Sequence, residues 1–153
     1  MEIVGRAFLS KKGELAKDGK PTGSLISILR AEKLPSLEKG KRKWQANEDN
    51  KIGEIVIRTH LPYSGDQGLD TLSRNHINAL TSDLIVVLPG GSGTLSELQL
   101  AWEYDKHIML YLGNNGNVGG QTPMQLKAKF SGGRVVVGLN GAQLSKWLKE
   151  TKP

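Results

Sequence analysis

A chain of 153 residues with 37% hydrophobic and 5% aromatic content suits a single domain, residues 1–153, with an ordinary aliphatic core. Its net charge of +6 favours anionic partners, the absence of cysteine excludes disulfides and thiolate metal sites, and no apolar run approaches the length of a membrane span. Residues 1–6 lack a signal peptide's apolar stretch, so a cytoplasmic location without a membrane partner is expected.

From the amino terminus, Ile3, Val4, Ala7, Phe8, Leu15 and Ala16 suit one helical face that ends at Asp18-Gly19, although the first ten residues also fit an alternating strand. Residues 24–29 and 54–59 read as strands. The connection between them, residues 30–51, carries seven Lys or Arg against four acidic side chains and centres on Lys39-Gly40-Lys41-Arg42-Lys43-Trp44. It is either a solvated surface loop or a basic arm whose Trp44 stacks on a base. Nucleic acid ranks below a small phosphorylated ligand as its partner. A helix follows over residues 69–80, then a strand over 84–88, a glycine loop, a helix over 95–105, strands over 107–112 and 134–138, and a closing helix over 142–149. Thr122-Pro123 has the composition of a helix cap.

Strands alternating with helices predict an α/β fold of the Rossmann-like, doubly wound kind, with a mostly parallel sheet and ligands at the carboxyl ends of its strands. Leu84-Ile85-Val86-Val87-Leu88 is a continuous apolar run of the sort covered on both faces, and it leads directly into Pro89-Gly90-Gly91-Ser92-Gly93-Thr94. Glycines there let a ligand approach the backbone, and the following helix start adds partial positive charge. Gly90, Gly91, Ser92, Gly93 and Thr94 are therefore the candidate phosphate-binding residues. Thr59 and His60 leave an earlier strand at the same edge and are candidates for the same crevice. His60, His76 and His107 have no metal-binding spacing, so no metal is expected.

The nine residues Pro89-Gly90-Gly91-Ser92-Gly93-Thr94-Leu95-Ser96-Glu97 resemble the Pro-Gly-Gly-x-Gly-Thr-x-x-Glu signature of the LONELY GUY (LOG) family. Its relatives include molybdenum cofactor carrier proteins and many proteins labelled lysine decarboxylases, although no lysine here suits a pyridoxal phosphate Schiff base. Ser73-Arg74-Asn75-His76-Ile77-Asn78 followed by Ser82-Asp83 looks like the family's arginine helix, and residues 23–29 like an earlier strand. The resemblance spans residues 1–112 and is densest over 59–112. It implies that Glu97 orients a ribose or water and stabilises a cationic sugar, while Arg74 anchors the phosphate or base. Two structural alternatives stand beside these roles. Thr94-Leu95-Ser96-Glu97 also reads as a capping box, and Arg74 can pair with a surface carboxylate.

Where LOG phosphoribohydrolases carry Lys after the arginine and Met three positions later, this chain has Asn75 and Asn78, which leans toward the carrier branch. The family pattern also opens with two strands ahead of a helix with a Met-Glu-like start, and this chain begins on that helix. The resemblance thus implies missing central strands, exposed edges and a reduced pocket. The function expected first is binding of a phosphorylated nucleotide or molybdopterin-type cofactor, with the molybdenum cofactor as possible cargo and no cofactor required. The alternative is hydrolysis of the N-glycosidic bond of nucleoside 5′-monophosphates. The resemblance further implies a homodimer or larger assembly.

Overall fold

The computed structural model describes residues 2–29 and 53–151, in two compact units, Met1–Pro62 and Tyr63–Pro153. The basic connection around Lys39 to Trp44 lies outside the described residues.

In the first unit, helix α1 spans Glu2–Lys17. Its end is a Schellman turn: Gly19 adopts φ +66° and donates to Ala16 O at 3.1 Å, while Lys20 N–H reaches Leu15 O at 3.0 Å. The inward face follows Gly5, Phe8, Lys12 and Leu15, whereas Val4, Ala7 and Ala16 are exposed. The helical reading of the amino terminus holds, with a narrower apolar stripe than the sequence suggested. Strands β1 (Ile26–Leu29) and β2 (Ile55–Arg58) pair in parallel, Ile26 opposite Ile55 and Leu29 opposite Arg58. Glu54 closes one end of this sheet, accepting from Leu25 N–H at 2.9 Å and pairing with Lys12 of α1. Thr59 closes the other, its N–H and hydroxyl both donating to Leu29 O at 2.9 Å.

In the second unit, strands β3 (Leu84–Val87), β4 (His107–Tyr111) and β5 (Val135–Gly138) form a parallel sheet in that order. Helices α3 (Ser92–Glu103) and α4 (Pro123–Lys129) lie between successive strands in the chain, and α5 (Gly141–Glu150) follows β5. The core gathers Val87, Ile108, Leu110 and Val135 from the sheet with Leu98, Ala101, Leu126 and Phe130 from the helices. Each fully buried Leu contributes about 2 kcal/mol. Thr122 caps α4, as its sequence predicted, and the structure adds a reciprocal box with Gln125.

The Rossmann-like α/β class with parallel strand pairing is thus observed, with the described strands arranged as two sheets. Strand β3 departs from the expected double-sided burial: Val87 is buried but Val86 and Leu88 are each 36% exposed. It stands at the edge of its three-stranded sheet, and the central strand β4 is buried at its three middle residues, Ile108 to Leu110. The helix expected over 69–80 shrinks to α2, Asn75–Leu80, preceded by a 3₁₀ turn at Gly65–Gln67. Side chains explain the loss. Asp70 accepts from Leu72 N–H at 2.8 Å and Ser73 Oγ from Asn75 N–H at 3.2 Å, local bonds that compete with a helical ladder.

Candidate functional site

The glycine loop occupies the turn from β3 into α3. The helix starts three residues earlier than its composition suggested, with Gly91 as N-cap, so Ser92, Gly93 and Thr94 form its first turn. Gly90 is committed to the scaffold: its N–H donates to Asn117 O at 3.0 Å and its carbonyl accepts from Gly119 N–H at 2.9 Å. A Cβ on Gly90 would lie 2.2 Å from Thr94 Oγ1, and one on Gly93 would lie 3.0 Å from Gly65 Cα. Gly90 and Gly93 are therefore small for packing reasons. Gly91 differs, because a Cβ there would project into open space. Among the described residues, the N–H groups of Gly91, Ser92, Gly93 and Thr94 have no hydrogen-bond acceptor, and they cluster where the helix contributes partial positive charge. Such an array suits a phosphate. One carboxylate already stands beside it: exposed Asp66 accepts from the Ser92 hydroxyl.

Early initiation of α3 also removes the capping-box reading of Glu97. Thr94 lies within the first turn and is not the N-cap, so Thr94 and Glu97 do not form a capping box. Glu97 is half-buried, one turn beyond Thr94, and its Oε1 accepts from Asn78 Nδ2 at 2.8 Å. Arg74 is the N-cap of α2, half-buried, with its N–H donating to Tyr63 O at 3.1 Å and its carbonyl accepting from Asn78 N–H at 3.2 Å. That i to i+4 bond places Arg74 and Asn78 on one face of α2. Arg74 and Glu97 are thus both carried by the seam between α2 and α3.

Below this seam lies a buried polar cluster. Asn75, 2% exposed, donates to Ser96 Oγ at 3.0 Å, and the Ser96 hydroxyl bonds Gly93 O at 2.8 Å and Gly65 O at 3.2 Å. Gly68 makes room for it, since a Cβ there would sit 1.9 Å from Ser96 Oγ. Asn75 is therefore a structural tie that anchors the first turn of α3. Sequence reasoning noticed Asn75 and Asn78 only as departures from a family pattern and missed that both bridge to α3.

Thr59 and His60 belong to the first unit, at the carboxyl end of β2; the Thr59 hydroxyl is engaged with Leu29 O, and His60 is exposed. His76 is held between Tyr104 OH at 2.5 Å and Asp70 O at 2.9 Å. Because a carbonyl only accepts, Nε2 carries a proton, and in the neutral imidazole Nδ1 accepts from the Tyr104 hydroxyl. His107 opens β4, at the amino ends of the strands and away from the glycine loop at the carboxyl end of β3. Among the described residues, no three His, Asp or Glu side chains converge as a metal site. A pocket of about 420 Å³ opens at the carboxyl ends of β4 and β5, walled by Pro123, Met124, Val137 and Leu139 with Lys127 at its side. Sequence reading gave no sign of it, because its walls come from three separate segments.

The profile of the SLOG cluster4 family matches residues 34–137, more than half of the chain. No curated protein and no solved structure matches it.

Proposed function

The chain belongs to the SLOG cluster4 family, within a superfamily that includes LOG-like proteins, and from that membership and the glycine loop we propose a protein that binds a phosphorylated nucleotide or molybdopterin-type cofactor. The observation that carries this reading is the set of unpaired N–H groups from Gly91 to Thr94 at the start of α3. A phosphate monoester placed there would accept from Ser92, Gly93 and Thr94. Its remaining part would extend along the seam that carries Arg74 and Glu97. The pterin phosphate of a molybdenum cofactor, as cargo, would use the same loop, and no resident cofactor is required. Native mass spectrometry of gently purified protein tests the reading: a copurified nucleotide or pterin supports it. Failure of adenosine monophosphate, molybdopterin and inorganic phosphate to bind in calorimetry would end it.

Glu97 favours a second reading, the phosphoribohydrolase. Asn78 holds one of its carboxylate oxygens, and the other has no hydrogen-bond partner among the described residues. A half-buried carboxylate so placed can stabilise positive charge developing on a ribose as the base departs. A chromatographic assay across purine and pyrimidine monophosphates decides between binding and hydrolysis. Released base that disappears in Glu97→Gln, with binding retained, makes it an enzyme. A homodimer in the cytoplasm completes the proposal, supported by the exposed apolar side chains of Leu72, Leu80 and Met124 in the second unit, and light scattering tests the assembly.

A further inference from the structure

We propose that Asn78 is a positioning residue for Glu97, and that the pair selects phosphate esters of a hydroxylated sugar over bare phosphate. This rests on the reading of the glycine loop as a phosphate site. A carboxylate only accepts, so the side-chain amide of Asn78 must present Nδ2 to Glu97 Oε1, at 2.8 Å. The contact fixes the Glu97 side chain against α2 and leaves Oε2 to accept from another donor. Helical side chains lean toward the amino end of their helix, so Glu97 leans toward the loop. One turn of α3 separates it from Thr94, about 5 Å along the axis, comparable to the reach from a 5′-phosphate to the ring hydroxyls of the same ribose. A ribose hydroxyl donating to Oε2 would then complete a chain from Asn78 through Glu97 to the ligand. A pterin phosphate offers no ribose at that distance, so the pair favours ribosyl phosphates within the proposed ligand class.

The test is calorimetric binding of ribose 5-phosphate and inorganic phosphate to the wild type, Asn78→Leu, Asn78→Ala, Glu97→Ala and the double variant Asn78→Ala/Glu97→Ala. Both Asn78 variants should weaken ribose 5-phosphate by about tenfold, the scale of one hydrogen bond to a charged group, while phosphate stays within about twofold. In the Glu97→Ala background, Asn78→Ala should cost nothing further, because its effect acts through the carboxylate. Phosphate affinity also reports whether each variant is folded, and Asn78→Ala serves if the leucine variant is not. An unchanged ratio of the two affinities would overturn the proposal, as would a full Asn78→Ala effect without Glu97. Absence of phosphate binding by the wild type would overturn the loop reading itself, and this inference with it.

Discussion

Replacing Gly91 by valine separates ligand binding from folding more cleanly than any other change in the loop. No atom lies within 4 Å of a Cβ at this position, and its φ of −88° lies outside the left-handed region that favours glycine, so a Cβ here meets no atom of the protein. Exchanging an N-cap glycine for valine costs about 1 kcal/mol, which lowers Tm by roughly 3 °C in a chain of this size. Binding should suffer far more. Hydrogen bonds from neutral N–H groups to a phosphate contribute about 1.5 kcal/mol each at the lower end, and a branched side chain at the loop's open face should obstruct two of the three first-turn donors. The combined loss of about 3 kcal/mol is a factor of roughly 100 in Kd. Calorimetry with adenosine monophosphate measures it, and circular dichroism melts follow the fold. Gly90→Ala is the contrasting control, because its Cβ would lie 2.2 Å from Thr94 Oγ1 and should lower Tm more than Gly91→Val does. Wild-type affinity in a folded Gly91→Val protein would remove the loop from the site.

Asp66→Asn removes a negative charge from beside the anion-binding turn, so phosphate affinity should rise by about two- to fivefold at low salt and less at high salt; a decrease would mean that the carboxylate helps to hold the ligand. Gly68→Ala should destabilise the protein by about 3 kcal/mol, since its Cβ drives apart Asn75 and Ser96 and leaves buried polar groups unpaired. A denaturant melt within about 1 kcal/mol of wild type would show that the cluster relaxes without cost. The hydrogen bond from Lys12, then that from Leu25 N–H, hold the Glu54 carboxyl below the ordinary carboxylate value. Because the folded value is the lower one, this contact's contribution is complete above the unfolded carboxylate pKa and is lost as pH falls through the folded value. A carbon-detected titration of Glu54 should show that depression, and Lys12→Met should diminish it.

Much of the architecture was legible because its signals are local. The strand before Pro89, the glycine turn after it, Gly19 at the end of α1 and the Thr122 cap each act within a few residues, and each appears where it was expected. The family resemblance spanned residues 1–112 and was densest over 59–112, and the family match covers residues 34–137. What sequence could not supply was long-range. The start of α3 at Ser92 removes the capping-box reading of Glu97, and the contacts of Asn75 with Ser96 and of Asn78 with Glu97 join helices distant in the chain. Helical periodicity over 69–80 also overrode a competing signal, because Asp70 and Ser73 bind their own backbone and delay the helix to Asn75.

Helix α2 has only six residues, far fewer than a helix needs to persist alone in water. Its order is borrowed. Asn75, His76 and Asn78 each fasten it to the α3 segment, through Ser96, Tyr104 and Glu97. These rivets make the short helix and the longer one a single cooperative element, so the amides of α2 should open with those of α3 in hydrogen exchange and not fray ahead of them. Arg74, at the head of the short helix, then inherits the rigidity of a helix it does not belong to.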